Sequence, residues 1–264
     1  MLARRTLPPE FAAWNAKWAA PHGRPGYGGW PLKGSRFDAR RRGPFAFQAN
    51  NTTREFEYPW AYHKIAKLGG KRTVVDVGGS LCGLQFVLAS EGHEVINVDP
   101  GLSAEGLGWD VSAGGHRRMC ECFSPVTLIP KPIQDAAIPD GRADVVVCIS
   151  ALEHFGDTDM AAAAGHVPRV LKPGGIAVLT IDLFLDLEPF TDLTENRWGR
   201  NMDVKRWLDS TRLELVVGTP AELYGFPGFS ANGVLRNLSN YHVGHGYPAL
   251  AQCVVARKRG GKTA

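Results

Sequence analysis

Several things are scarce in this 264-residue chain, and each scarcity narrows what it can be. No apolar run approaches the roughly 20 residues of a membrane span, and the opening MLARRTLPPEF lacks the apolar core of a signal peptide, so a cytoplasmic protein is expected. Cysteine is sparse and odd in number, with five residues, which argues for reduced thiols rather than a disulfide framework. Cys120 and Cys122 with His116 nearby lack the second ligand pair of a zinc site, and no metal is expected. No recognisable nucleic-acid-binding module is present. With 44% hydrophobic and 21% charged residues, the chain has the makeup of one globular α/β domain plus an extension, too short for two full domains.

The net charge of +4 is modest but uneven. Residues 1–70 hold 12 Lys and Arg against 4 Asp and Glu, and the remainder holds 18 against 22. An anionic substrate or a nucleic acid near Arg36 and Arg40 to Arg42 is one reading of that excess; a solvated surface is the other. Residues 1–62 also carry 12 of the 25 aromatics, interleaved with Pro and Gly. Disordered tails are poor in aromatics, so this extension is expected to fold onto the domain, as a lid at the mouth of a cleft. Phe11, Trp14 and Trp18 recur at helical spacing, and Pro21 to Gly34 is turn-rich.

The densest signal is TVVDVGGSLCGLQFVLASEGHEVINVDP, Thr73 to Pro100. An apolar strand runs into Gly78 and Gly79, an apolar helix opens at Gly83, and a second strand ends on Asp99. That is one β-α-β unit with a ligand-binding turn. A glycine loop followed by an acid is shared with dinucleotide enzymes, and Asp76 separates the two cases. A carboxylate two residues before the first glycine repels a pyrophosphate and suits a cation. The pattern resembles motif I of class I S-adenosylmethionine (SAM) dependent methyltransferases, whose ligand carries a sulfonium, an ammonium and a ribose but no phosphate. Ser80 and Cys82 depart from it, standing where that superfamily usually has glycines.

The likeness continues to about residue 218. Gln134-Asp135 resembles the acidic motif that reads adenine, and the register leaves both residues as candidates. Asp144 to Ser150 reads as a buried central strand, and Ala151 to Phe155 matches the short segment beneath the sulfonium. Leu171 to Gly175, LKPGG, resembles the turn into the fifth strand, Ile176 to Ile181. Earlier in the chain, Asn51, Thr52 or Thr53 can cap a helix that breaks before Pro59; later, Asp157 is expected to cap a helix that Pro168 kinks.

The resemblance therefore implies a Rossmann-like three-layer fold with a seven-stranded, mostly parallel sheet. Its expected domains are an extension at 1–62, a catalytic domain at 63–258 with an insertion at 219–249, and a flexible tail at 259–264. It implies SAM as cofactor and S-adenosylhomocysteine as product. Cofactor contacts are expected from Arg54, Asp76, Gly78, Gly79, Gly83, Asp99, Pro100, Gln134, Asp135 and Ser150, with Arg54 on the SAM carboxylate unless it pairs with Glu55 or Glu57. His154 is the expected general base, with Asp182, His242 and His245 as other candidates. The expected acceptor is a hydroxyl or amine on a sugar, natural product or other metabolite. RNA modification and a catalytically silent SAM-binding regulator are the alternatives.

Overall fold

The computed structural model describes residues 1–24, 36–101 and 113–260. Trp30, most of the turn-rich stretch after Pro21 and the end of the tail lie outside the described residues.

Seven strands form one sheet: β1 (Thr73–Val77), β2 (Glu94–Val98), β3 (Thr127–Ile129), β4 (Ala143–Ile149), β5 (Leu171–Phe184), β6 (Glu214–Val217) and β7 (Ala249–Arg257). Their order is β3-β2-β1-β4-β5-β7-β6, and only β7 runs antiparallel to its neighbours. The order reverses between β1 and β4, the place where open α/β sheets bind ligands beyond their strand ends.

Alternate residues of each strand feed two cores. Val74, Val145, Val147 and Val178 point to one, and Val75, Val146, Cys148 and Leu179 to the other. The first core is covered by α1 (Pro9–Trp18), α2 (Arg36–Arg42), α3 (Arg54–Ala66), α4 (Gly83–Ser90) and α5 (Ala113–Cys122). The second is covered by α6 (Asp157–Val170) and α7 (Val204–Thr211). A short α8 (Ala231–Arg236) lies in the segment before β7.

The N-terminal residues are part of this core. Phe11, Trp14, Phe45 and Phe47 are buried in the same cluster as the sheet residues, and Leu2 bridges to Gln252 on β7. Of the described residues up to 62, Gln48 to Asn51, Arg54 and Tyr58 line the cleft described below.

Three local expectations are corrected. Pro59 does not break the helix before β1; α3 runs unbroken through it. A proline at this position leaves the Glu55 carbonyl without its helical N–H partner, and the Asn15 side chain of α1 donates to that carbonyl at 2.7 Å. Gly156, not Asp157, occupies the N-cap of α6, and Pro168 falls in its last turn. The LKPGG stretch is taken into β5: Leu171 pairs with Ala143 and Ile176 with Val145, so the residues between them bulge.

Candidate active site

A cleft of about 910 Å³ opens where the sheet order reverses. Its first half is built by the β1–α4–β2 unit. Gly78 has φ +70°, and a Cβ at Gly79 would collide with the Asp76 carboxylate and with Asn97 Oδ1, so the loop lies directly on the acid below it. Ser80 takes the left-handed conformation, φ 44°, that a glycine would adopt freely. Asp99 holds the loop from the other side. Its Oδ2 accepts from the Ser80 amide at 2.8 Å and its Oδ1 from the Gly101 amide at 2.7 Å. Each oxygen keeps a further lone pair for a ligand. Burial, reinforced by the charge of Asp99, pushes Asp76 up to about 7, and burial also raises Asp99 against the pull of its two amides.

The second half gathers residues from across the chain. Arg54 Nη1 donates to Glu57 Oε1 and Oε2 and to Ser150 Oγ, all at 2.7 Å. Glu57 is fully buried and also accepts from Thr180 Oγ1 at 2.6 Å and Ser150 Oγ at 2.7 Å. Burial alone would raise Glu57, but Arg54 and these hydroxyls hold it below its ordinary value, so the pair is charged and internally neutral. Asp182 lies beside it, accepting from Ser150 Oγ at 3.1 Å and from the Tyr247 hydroxyl at 2.7 Å. Burial and the Glu57 charge push Asp182 up to about 6. Glu153 is 1% exposed, takes the Asp182 amide at 3.1 Å on Oε1, and leaves Oε2 with no partner among the described residues. Burial and Asp182 hold its pKa far above the usual range, so it keeps its proton.

Most of the expected cofactor residues meet here. Arg54, Asp76, Gly78, Gly79, Asp99, Pro100, Gln134 and Ser150 all line the cleft. Gln134 also donates to Asp159 Oδ1 at 2.8 Å. Asp135 and Gly83 are not among the lining residues: Asp135 is exposed, and Gly83 is pressed against the Phe45 ring. His154 and His245 line the cleft, whereas His242 places Nε2 2.8 Å from the Thr52 carbonyl. Burial lowers His154 to about 4, with a hydrogen bond to the Trp198 backbone pulling the other way, so its imidazole is neutral near pH 7.

Sequence reasoning passed over Glu153 as a site residue and treated Glu57 only as a surface partner for Arg54. Thr180 and Asp182 are polar residues inside the apolar run of β5, and that interruption was the available signal.

Residues 75–179 match the family model described as a methyltransferase domain. That match runs from β1 into β5 and marks this stretch as a methyltransferase domain. Its fold is similar to that of Burkholderia thailandensis 1,6-didemethyltoxoflavin-N1-methyltransferase, solved with 1,6-didemethyltoxoflavin and S-adenosylhomocysteine (18% identity, 98% of this chain and 95% of that one, TM-score 0.51). It is similar also to the [4+2]-cyclase SpnF (15% identity, 95% and 93% coverage, TM-score 0.53). A third likeness is to Haemonchus contortus phosphoethanolamine N-methyltransferase 2 in complex with SAM (16% identity, 76% and 52% coverage, TM-score 0.51). At these identities the likeness is one of fold. No curated protein matches the chain in sequence.

The residues lining this cleft fit SAM. The donor set is rich in carboxylates, as a sulfonium and an ammonium require, and Arg54 is the only Lys or Arg among the described lining residues. Its hydrogen bonds to Glu57 and Ser150 all leave from Nη1, so the rest of the guanidinium fork remains for a carboxylate. When bound, SAM supplies a methyl group activated by the sulfonium. Among the described residues no cluster of His, Cys, Asp or Glu could hold a metal, and no helix is long and apolar enough to cross a membrane.

Proposed function

We propose that this methyltransferase transfers the SAM methyl group to a small-molecule acceptor. The cleft carries this reading: at about 910 Å³ it lies at the upper end of small-molecule sites, and Trp198, His245 and Tyr247 wall the end away from Asp99. In this reading Asp99 takes the ribose, Asp76 faces the positive end of the cofactor, Gln134 reads the adenine and Arg54 takes the carboxylate. The protein's contribution is to bring acceptor and methyl into line and to accept a proton. His154, titrating near 4, is a poor match for that last task at neutral pH.

We read residues 63–258 as the catalytic domain, with 219–249 as its insertion, and residues 1–62 as an extension built into the first core. Five free cysteines accord with a cytoplasmic enzyme. The basic excess does not favour RNA. Lys17, Arg24 and Arg40 border a separate hollow of about 320 Å³ and do not line the cleft. Arg36 pairs with Glu121 at 3.2 Å, and Arg40 donates to the Cys122 carbonyl at 2.7 Å.

The test is transfer of isotopic label from methyl-labelled SAM, with a small-molecule library and total RNA offered separately. Label in the low-mass fraction is expected. Label confined to RNA, with binding that falls steeply as salt rises, would overturn the small-molecule reading. Tight SAM binding with no transfer to either would favour the silent regulator.

A further inference from the structure

The walled end of the cleft has a hydrogen-bonding polarity. Tyr247 has one hydroxyl proton, and it is committed to Asp182 Oδ2 at 2.7 Å. Toward the cleft, its oxygen therefore offers lone pairs only. Behind it lie the carboxyl groups of Asp182 and Glu153, at 0% and 1% exposure. Arg54 and Glu57 neutralise each other, and Ser150 turns its hydroxyl toward Glu57 and Asp182. Arg54, whose free guanidinium edge is assigned to the SAM carboxylate, is the one Lys or Arg lining this cleft among the described residues. The remaining wall carries the rings of Phe155, Trp198 and Tyr247, the last two 5.2 Å apart, with His154 and His245 beside them; Arg197 lies over the Trp198 ring at 4.2 Å and is not itself among the lining residues.

Lone pairs, a carboxylate behind them and π faces around them select against an anion, for which no cation besides Arg54 lines the cleft among the described residues. A hydroxyl offers one proton to this environment. An ammonium offers several N–H groups and a charge that both the carboxylate and the rings attract. The expectation of an anionic acceptor, drawn from the basic extension, finds no support at the cleft.

Resting on the SAM-dependent reading, we propose that the acceptor is a primary or secondary amine, with Tyr247 touching its nitrogen and Asp182 acting through Tyr247 as a positioning residue. The amine enters protonated. Its N–H proton passes to the Tyr247 oxygen as the tyrosine proton moves to Asp182 Oδ2. The freed nitrogen lone pair then forms the bond to the methyl carbon, and the carbon–sulfur electron pair leaves with sulfur. S-adenosylhomocysteine and the N-methylated ammonium result, and Asp182 releases its proton to solvent. Asp182 at about 6 suits that cycle, whereas burial and Asp182 raise Glu153 well above its ordinary value.

The distance between the two ends is adequate for both ligands. Asp99 follows β2 and Asp182 lies on β5, three strand positions away in the sheet order, roughly 14 Å at ~4.8 Å per strand. An amine beside Tyr247 therefore does not compete with a ribose at Asp99.

Calorimetry on the full chain tests this with three probes of matched shape: benzylamine, benzyl alcohol and benzoate. S-adenosylhomocysteine is titrated to saturation first; if it does not bind, the SAM reading itself fails, separately from this proposal. On the saturated protein, benzylamine should bind at least about tenfold more tightly than benzyl alcohol, and benzoate least. Its affinity should fall as pH drops through about 6, as Asp182 takes up a proton. Asp182→Asn should remove that pH dependence and lower benzylamine affinity roughly tenfold to a hundredfold, leaving benzyl alcohol nearly unchanged. If Asp182→Asn does not fold, Tyr247→Phe serves: it keeps the ring and should reduce the amine preference. Equal affinities, no benzylamine binding, tighter benzoate binding, or an amine preference that survives these substitutions would overturn the proposal.

Discussion

The two halves of the cleft are made in different ways. The half around Asp99 comes from one continuous stretch, Thr73 to Pro100, in which a strand, a glycine turn, a helix and a second strand place Asp76 and Asp99 by local geometry. The other half brings Arg54 and Glu57 of α3 to Ser150 and Glu153 after β4, Thr180 and Asp182 of β5, and Tyr247 ahead of β7. Those contacts span up to 123 residues within one hydrogen bond, that of Thr180 to Glu57. A local unit survives much change elsewhere in the chain, whereas an assembled one depends on every piece arriving.

The largest effect should appear where the assembled half is cut. Glu57→Ala leaves the Arg54 guanidinium buried without its carboxylate, and a broken buried pair typically costs about 3–5 kcal/mol. Denaturant unfolding should show that loss. A change below 1 kcal/mol would mean that the second half does not hold the fold together.

The local half should reveal itself through pH. Asp76 titrates near 4 in an unfolded chain and at about 7 when folded, so the folded state keeps a proton that the unfolded state has released. Stability of the ligand-free protein should therefore fall as pH rises from about 4 to 7, by up to about 1.4 kcal/mol per pH unit from this group. Asp182, at about 6, adds a drop of the same sign over a narrower window. Glu153, also raised well above its ordinary value, contributes to the same drop, so Asp76→Asn should reduce the slope without abolishing it, measured by unfolding between pH 4.5 and 7.5. An unchanged slope would show that Asp76 is ionised throughout.

Asp99→Ala sharpens the contrast, because its effect should fall on the ligand more than on the fold. S-adenosylhomocysteine affinity should drop by about 1.5–3 kcal/mol, the usual worth of a hydrogen bond to a charged group. Affinity within twofold of the parent would remove Asp99 from the ribose site. The smallest effect concerns the link between the extension and α3: Asn15→Ala strands the Glu55 carbonyl above Pro59 and should cost about 1 kcal/mol in thermal or chemical unfolding. No change would mean that water takes over from the amide.

The same contrast decides how much could be read in advance. The β-α-β unit was legible because apolar periodicity and turn chemistry act over a few residues, and the seven-stranded sheet followed from the family resemblance that this unit carries. Pro59 misled because the Glu55 carbonyl it strands is taken up by Asn15, which lies forty residues before Glu55 on another helix. Gly83 misled for a similar reason: its missing Cβ makes room for Phe45, a side chain of the core, rather than for a ligand. Glu57 was read only as a surface partner for Arg54 and Glu153 was given no role, since burial of a carboxylate is set by long-range packing that no local pattern encodes. The basic extension suggested an anionic ligand, yet its charges are placed away from the cleft.

The central claim, that a carboxylate-rich cleft holds a cationic, phosphate-free cofactor, is tested most directly by calorimetry of the full chain with SAM, S-adenosylhomocysteine and NAD. SAM and S-adenosylhomocysteine should each bind at one site per chain while NAD gives no binding heat, because Asp76 lies beneath the loop where a pyrophosphate would sit. Tight binding of NAD with no response to SAM would contradict it.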